Sequence, residues 1–165
     1  MTIVNDCIIL LLRIIFIIFK KRYRGGIVLR SRQKKKGKPK MKKLPDLLVQ
    51  AWEKREGPLV LSTVSNDKQP NAIYATCVSL FEDNTILVAD NYLNKTKQNV
   101  LDGSYGSALF ISDEYKSFQL KGPLQYVTEG RYFQNMKTWN PDKHPGKGVV
   151  VLKIEQAFSG AEKIL

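Results

Sequence analysis

A mainly β fold, a six-stranded antiparallel barrel carrying a few short helices, follows from three features of this sequence. Short runs rich in β-branched and aromatic residues recur along most of the chain. Turn-forming clusters such as NDKQP, EDN and EYKS separate many of them, as hairpins require. The helical patterns in between are too few and too short to serve as crossovers between parallel strands.

The elements follow in order. LPDLLVQAWEKREG places Leu44, Leu47, Leu48 and the Ala51-Trp52 pair at helical spacing, with Gly57 as the stop. PLVLSTVS is the first strand and NDKQP a turn. NAIYATCVSLF is a longer second strand, EDN a hairpin turn, and TILVAD the third strand. NKTKQNVLDG is a short helix capped by Asn94, inserted across the barrel. SALFISD is the fourth strand and EYKS its turn. FQLKGPLQYVTEG is the fifth, with a bulge or bend expected at Gly122-Pro123. EGRYFQNMKTW is a short helix, NPDKHPGKG a loop, and VVVLKIEQAFSG the sixth strand.

The chain has 165 residues and a formal net charge of +12. That charge is concentrated at one end. Residues 1–40 hold 12 lysines and arginines against one acid, Asp6, a net of +11. Residues 41–165 hold 15 basic and 14 acidic side chains, a net of +1. The footprint of nucleic-acid binding is a basic face on a folded domain, so no nucleic-acid partner is expected. The apolar tract from Ile8 to Phe19 is shorter than the roughly 20 residues a spanning helix needs. Arg13 in its middle would cost about 2.5–3.5 kcal/mol on insertion. Neither a basic n-region nor a small-residue cleavage site marks a signal peptide. Met41 opens MKKLPDLL as a start codon would. Lys36-Gly37, encoded as AAR-GGN, would resemble a ribosome-binding site at a suitable distance before it. Residues 1–40 therefore read as an extension outside the fold, from a mis-assigned start, with membrane association as the alternative. The domain is then 41–165, expected in the cytoplasm.

Cys7 and Cys77 have no metal-ligand spacing and imply no disulfide framework. Cys77 lies in a strand run and reads as a small buried apolar residue. The single histidine, His144, sits in a loop without a cysteine partner, so no metal site is expected. No nucleophile elbow accompanies it.

The helix start at Asn94 poses a charge problem. Lys95 and Lys97 occupy its first turn, where each cation is disfavoured by roughly 0.3–1 kcal/mol. Lys95 and Asn99 are four apart, and Thr96 and Asn99 three apart, so all three can face one spot beside free backbone N–H groups. A bound anion there would make the lysines favourable. A solvated surface helix that tolerates them is the other reading, and spacing leaves both open. No Walker loop or GxGxxG is present.

Taken together, GPLVLSTV, PNAIYATCV, ILVADNYLNKTKQNV, FQLKGPLQY and VVVLKIEQAFSG resemble the FMN-binding split-barrel family. Its best-known member is pyridoxamine 5′-phosphate oxidase, and the resemblance is closest to small FMN-binding proteins of anaerobic prokaryotes. It runs from Gly57 to Leu165, and the Lys-Thr-x-x-Asn segment is its most specific part. The resemblance implies that Lys95, Thr96 and Asn99 hold the FMN phosphate. It places Ile73, Tyr74, Ala75 and Thr76 beside the isoalloxazine ring, and Val88, Ala89, Asp90 and Asn91 as the wall beneath it. It implies a homodimer with flavin at the subunit interface. It also leaves a related deazaflavin open as the cofactor.

Two further site residues rest on pattern. Ser117, Gln119 and Lys121 share one strand face, read first as a solvent face. The alternative is that Gln119 or Lys121 reaches the flavin pyrimidine edge, where reduction places negative charge. Trp139 reads as core packing, or as a cover over the ring. Tyr74, Thr76 and His144 are the polar candidates for chemistry, and no general acid or base follows from the residues. True pyridoxamine 5′-phosphate oxidases clamp their substrate's phosphate largely with arginines and carry a C-terminal Arg/His segment. After Arg55 this chain has only Arg131, and that segment is missing. The expectation is a flavin redox protein, reduced by nicotinamide or a protein partner, or an electron carrier without its own substrate.

Overall fold

The computed structural model describes residues 43–82 and 84–165. The expectations on residues 1–40 lie outside them. Nine strands and three helices follow in the order α1 (Asp46–Glu53), β1 (Arg55–Val64), β2 (Pro70–Ala75), β3 (Val78–Phe81), β4 (Thr85–Asp90), α2 (Lys95–Leu101), β5 (Tyr105–Ser112), β6 (Ser117–Val127), α3 (Gly130–Trp139), β7 (Gly148–Lys153), β8 (Gln156–Ser159) and β9 (Glu162–Lys163). Every described pairing is antiparallel, in the order β2-β1-β5-β6-β7-β4-β3, with β8 paired to β6 and β9. The mainly β antiparallel barrel is as expected. The strand count is higher because two long runs each break in two and a short ninth strand, Glu162–Lys163, follows the last run. The second run breaks at Thr76-Cys77, and the last at Ile154-Glu155, where backbone amides leave the ladder. Ile154 N–H donates to the Asn84 carbonyl at 2.8 Å, and Glu155 N–H to the Lys121 carbonyl at 2.9 Å.

Strand β6 turns the barrel's corner. Its first part, Ser117–Pro123, pairs with β5, while Leu124–Val127 pair with β7. Between them sit Gly122 and Pro123, where the sequence anticipates a bend. Proline cannot donate to a ladder and is tolerated where pairing changes hands. Gly122 faces the end of β7 so closely that a Cβ there would fall on the Lys153 carbonyl oxygen. A strand that passes from one sheet to the other lets two sheets enclose one core.

That core alternates by residue parity, as strand geometry demands. Ile86 and Val88 of β4, with Val150 and Leu152 of β7, join the main core between the sheets. Leu87 and Ala89, with Val149 and Val151, point the other way, into a second cluster with Met136, Tyr132, Phe133 and Trp139 of α3. Helix α3 thus covers the outer face of β4 and β7. Both strands are buried on two sides, which explains their unbroken apolar runs. Trp139 belongs to this second cluster, its indole Nε1–H donating to Asn135 Oδ1 at 3.0 Å, so the core-packing reading holds.

Among the described residues, the outer face of β2-β1-β5-β6 has no such cover. Tyr74, Val60, Leu109, Gln119 and Phe158 lie in one row across it by register. Tyr74 is 77% exposed and Leu109 40%, with Ile111 at 39% two positions along.

Gly122→Ala is expected to lower stability by about 3 kcal/mol, as a methyl group forced into backbone does. Urea denaturation of the two proteins measures this, and an unchanged midpoint would mean that β7 yields freely at this corner.

Candidate functional site

The chain of pairings starts at β2 and ends at β3. These strands follow one another in sequence but do not pair, so the barrel stays open along a seam. The break at Thr76-Cys77 creates it. Cys77 is held to β4 by the Ala89 N–H, which donates to the Cys77 carbonyl at 3.0 Å. A pocket of about 280 Å³ lies in the seam. This is at the small end of the roughly 300–1,000 Å³ of ligand pockets.

Seven of the residues implied by the resemblance line it: Ile73, Tyr74, Ala75 and Thr76 from β2 and its exit, and Val88, Ala89 and Asn91 from β4 and its exit. Cys77, Tyr92, Leu93 and His144 complete the lining. Cys77 is half-buried, packed against the second cluster as its apolar reading suggests, and it also lines the pocket. No local signal links His144 to this place, because its loop arrives from beyond α3. Lys121 and Gln119 do not line the pocket. They stand on the outer sheet face with Ser117, and the Lys121 ammonium lies 5.0 Å from the Phe158 ring centroid. The solvent-face reading therefore describes them within one chain. Trp139 does not line the pocket either.

Asp90 sits under the pocket, with 1% of its side chain exposed. A buried carboxylate must be compensated. Its Oδ1 accepts the Leu93 N–H at 2.9 Å, and its Oδ2 accepts the Tyr126 hydroxyl at 2.7 Å. Lys97 stands 3.8 Å from Oδ2 and 4.5 Å from the centre of the Tyr126 ring. Lys97 is therefore not a misplaced cation: it neutralises a carboxylate at the end of the preceding strand. Contact with Tyr126, then the Asp90 charge, holds its ammonium above the ordinary lysine value.

The remaining helix-start residues divide. Thr96 and Asn99 are buried and turn inward. Asn71 Nδ2 donates to Thr96 Oγ1 at 2.9 Å and to Thr63 Oγ1 at 3.2 Å. Asn99 Nδ2 donates to the same Thr63 oxygen at 2.9 Å. These bonds tie α2 to the paired Thr63 and Asn71 of β1 and β2. Lys95 is exposed, and Asn94 occupies the cap position without a side-chain capping bond. The structure thus joins Thr96 and Asn99 to one polar knot and leaves Lys95 at the surface beside it.

Asn91 works on the other side. Its amide exchanges two hydrogen bonds with Asn140, at 3.0 and 3.1 Å, and its Oδ1 accepts the Gly146 N–H at 3.0 Å. The expected wall residue is thus also the fastening of the loop that carries His144. Among the described residues, no group of three His, Cys, Asp or Glu side chains is placed to hold a metal ion. Nor is any helix among them long and apolar enough to cross a membrane.

Two antiparallel sheets joined at a corner strand, open at one seam with a pocket in it, define a split-barrel protein. The chain belongs to the pyridoxamine 5′-phosphate oxidase family, whose model matches residues 47–159. An uncharacterized protein of Methanocaldococcus jannaschii is 29% identical over 123 residues, covering 71% of this chain and 80% of that one. The crystal structure of HupZ from Group A Streptococcus has the same fold, with a TM-score of 0.57 at 24% identity over 62% of this chain and 84% of its own. An FMN-binding protein from Syntrophomonas wolfei subsp. wolfei also shares it, at 0.57 and 21% identity over 70% and 92%.

Burial, then the bond to Asp90, raises the Tyr126 hydroxyl above its ordinary value. A raised value in the folded state means stability that is complete below the ordinary tyrosine value of about 10 and lost as pH rises through the raised one. Tyr126→Phe is expected to cost about 1.5–3 kcal/mol at pH 8, the range for a hydrogen bond to a charged group. It should also weaken the alkaline loss of stability. Chemical denaturation from pH 8 to 11 tests both, and an alkaline limb identical in the two proteins would remove Tyr126 from the account.

Proposed function

We propose that this protein binds FMN in the seam pocket and acts as a flavin-dependent redox protein, working as a homodimer. The observation that carries this is the pocket's composition. The two segments that the sequence resemblance assigns to the isoalloxazine, Ile73–Thr76 and Val88–Asn91, supply seven of its lining residues, all their members except Asp90. The residues fit such a ring. Apolar and aromatic walls from Ile73, Tyr74, Val88 and Leu93 suit a flat heterocycle, and Thr76, Asn91 and His144 supply a few polar groups. The His144 Nδ1 is buried without a hydrogen-bond partner among the described residues. Bound FMN would supply the two-electron chemistry. The chain's residues hold the ring, keep water from one face and fix its orientation. Lys95, with the Thr96 hydroxyl and the Asn99 amide behind it, is the proposed phosphate end.

The dimer reading rests on the uncovered sheet face. Tyr74 both lines the pocket and heads the exposed apolar row through Val60 and Leu109. A second copy seated on that row would cover it and enlarge a pocket that is small for a flavin. Oxidation of pyridoxamine 5′-phosphate is not proposed. Arg131, the sole arginine after Arg55, bonds the Tyr132 hydroxyl at 2.9 Å and lies over the Tyr132 and Phe81 rings, outside the pocket lining. The electron source is a reduced nicotinamide or a protein partner.

Purified protein incubated with FMN and passed through a desalting column is expected to carry the absorption of oxidised flavin. A colourless protein, or one that takes up a deazaflavin instead, would refute FMN as the cofactor. Lys95→Ala combined with Thr96→Ala should weaken FMN at least tenfold more than riboflavin, and equal losses would put the phosphate elsewhere. Leu109→Asp with Ile111→Asp should convert a dimer to a monomer in sedimentation and lower flavin uptake; a monomeric parent protein would end the dimer reading.

A further inference from the structure

The loop from Asn140 to Lys147 is fastened on both sides of His144. Before it, the Asn140 N–H donates to the Met136 carbonyl at 2.9 Å, and the Asn140 amide pairs with Asn91. After it, the Gly146 N–H reaches Asn91 Oδ1 at 3.0 Å, and the Lys147 N–H the Asp90 carbonyl at 2.8 Å. The His144 N–H itself closes a turn onto the Pro141 carbonyl at 2.9 Å. So many bonds to the backbone of a short loop fix where its central side chain points. That side chain lines the pocket, edge-on to Tyr92 with ring centroids 5.9 Å apart.

Its Nδ1 is nevertheless buried with no hydrogen-bond partner among the described residues. A buried polar atom left unpaired is destabilising and rare in native structures, so Nδ1 is the atom of this ring that gains most from a hydrogen-bond partner. The electrostatic surroundings narrow what that partner asks of it. The lining contains no carboxylate, lysine or arginine; its other ionisable side chains are Tyr74, Cys77 and Tyr92. On the loop, Asp142, Lys143 and Lys147 are exposed. On α3, the Lys137 ammonium is turned to the Pro145 carbonyl at 3.4 Å. Beneath the pocket, Asp90 is already compensated by Tyr126 and Lys97. Imidazole is the side chain whose ordinary titration falls between pH 5 and 8. His144 is the sole histidine of the chain.

We propose that His144 is the proton-exchanging group of the pocket. Its imidazole takes up a proton when the bound flavin is reduced and gives it up on reoxidation. This rests on the flavin reading above. The balance is simple. A hydride donor of the nicotinamide class delivers two electrons and one proton to the ring, which becomes anionic. A second proton, from solvent, settles on His144 and neutralises that charge, so two electrons arrive with two protons. On reoxidation by an acceptor that takes a hydride, His144 releases its proton to that acceptor or to solvent. Asn91 and Asn140 are positioning residues, acting through the loop.

One histidine makes the test unambiguous. The imidazole proton signals of the full chain loaded with FMN are followed by NMR against pH, first oxidised, then reduced with dithionite under argon. The expected result is a titration midpoint at least one pH unit higher in the reduced protein, a tenfold change in proton affinity. Redox titration near neutral pH should show two protons per two electrons for the parent and one for His144→Gln. Should that variant not fold, the NMR comparison decides alone. An unchanged midpoint on reduction, or an unchanged proton count in a folded H144Q, overturns the proposal while the flavin reading stands. A chain that takes up no FMN overturns both.

Discussion

Strand β6 has to serve two sheets, and the rest of the molecule is arranged around that requirement. Its first half continues β5 and its second half continues β7. Glycine and proline occupy the change of partner because neither a side chain nor a ladder donor has room or use there. Once the sheet is bent at this corner, its two far ends, β2 and β3, come from one stretch of chain without pairing. The seam, and the pocket within it, follow from that bend.

Asp90 organises the floor of the seam. It ends β4, and its carboxylate and carbonyl reach the α2 entry, β6 and the His144 loop through Leu93, Tyr126 and Lys147. Burying one charge among groups that all need it ties four segments to a common point. The cost of desolvation is met by the Tyr126 hydroxyl and the Lys97 ammonium.

Much of this was legible in the residues. The strand at TILVAD has the expected bounds, and the helix at KTKQNVL opens where Asn94 suggested. Seven pocket residues could be named because the resemblance implied them, on two strands and their exits. What local pattern could not reveal is long-range partnership. Lys97 looks misplaced until Asp90 and Tyr126, far apart in sequence, meet beside it. The place of Cys77 in the pocket lining is hidden because a strand break is invisible within NAIYATCVSLF, a run that favours extension throughout. His144 has no periodicity to place it; its loop is brought across by the amide pair between Asn91 and Asn140 and by the Gly146 and Lys147 amides, which reach Asn91 and Asp90. Gln119, Lys121 and Trp139 show the converse: strand alternation put the first two on the outer sheet face and helix position put the third against the second cluster, as observed within one chain.

The knot of Thr63, Asn71, Thr96 and Asn99 has a consequence for how a ligand is held. Asn71 and Ile73 alternate onto the same side of β2, so one strand supports both the start of α2 and a wall of the pocket. Anything that touches both ends of this site meets a single stiff frame rather than two parts that must first find each other. Little ordering is left to be done at the moment of association. Such a frame favours slow escape over fast exchange, and suits a resident group more than a passing one.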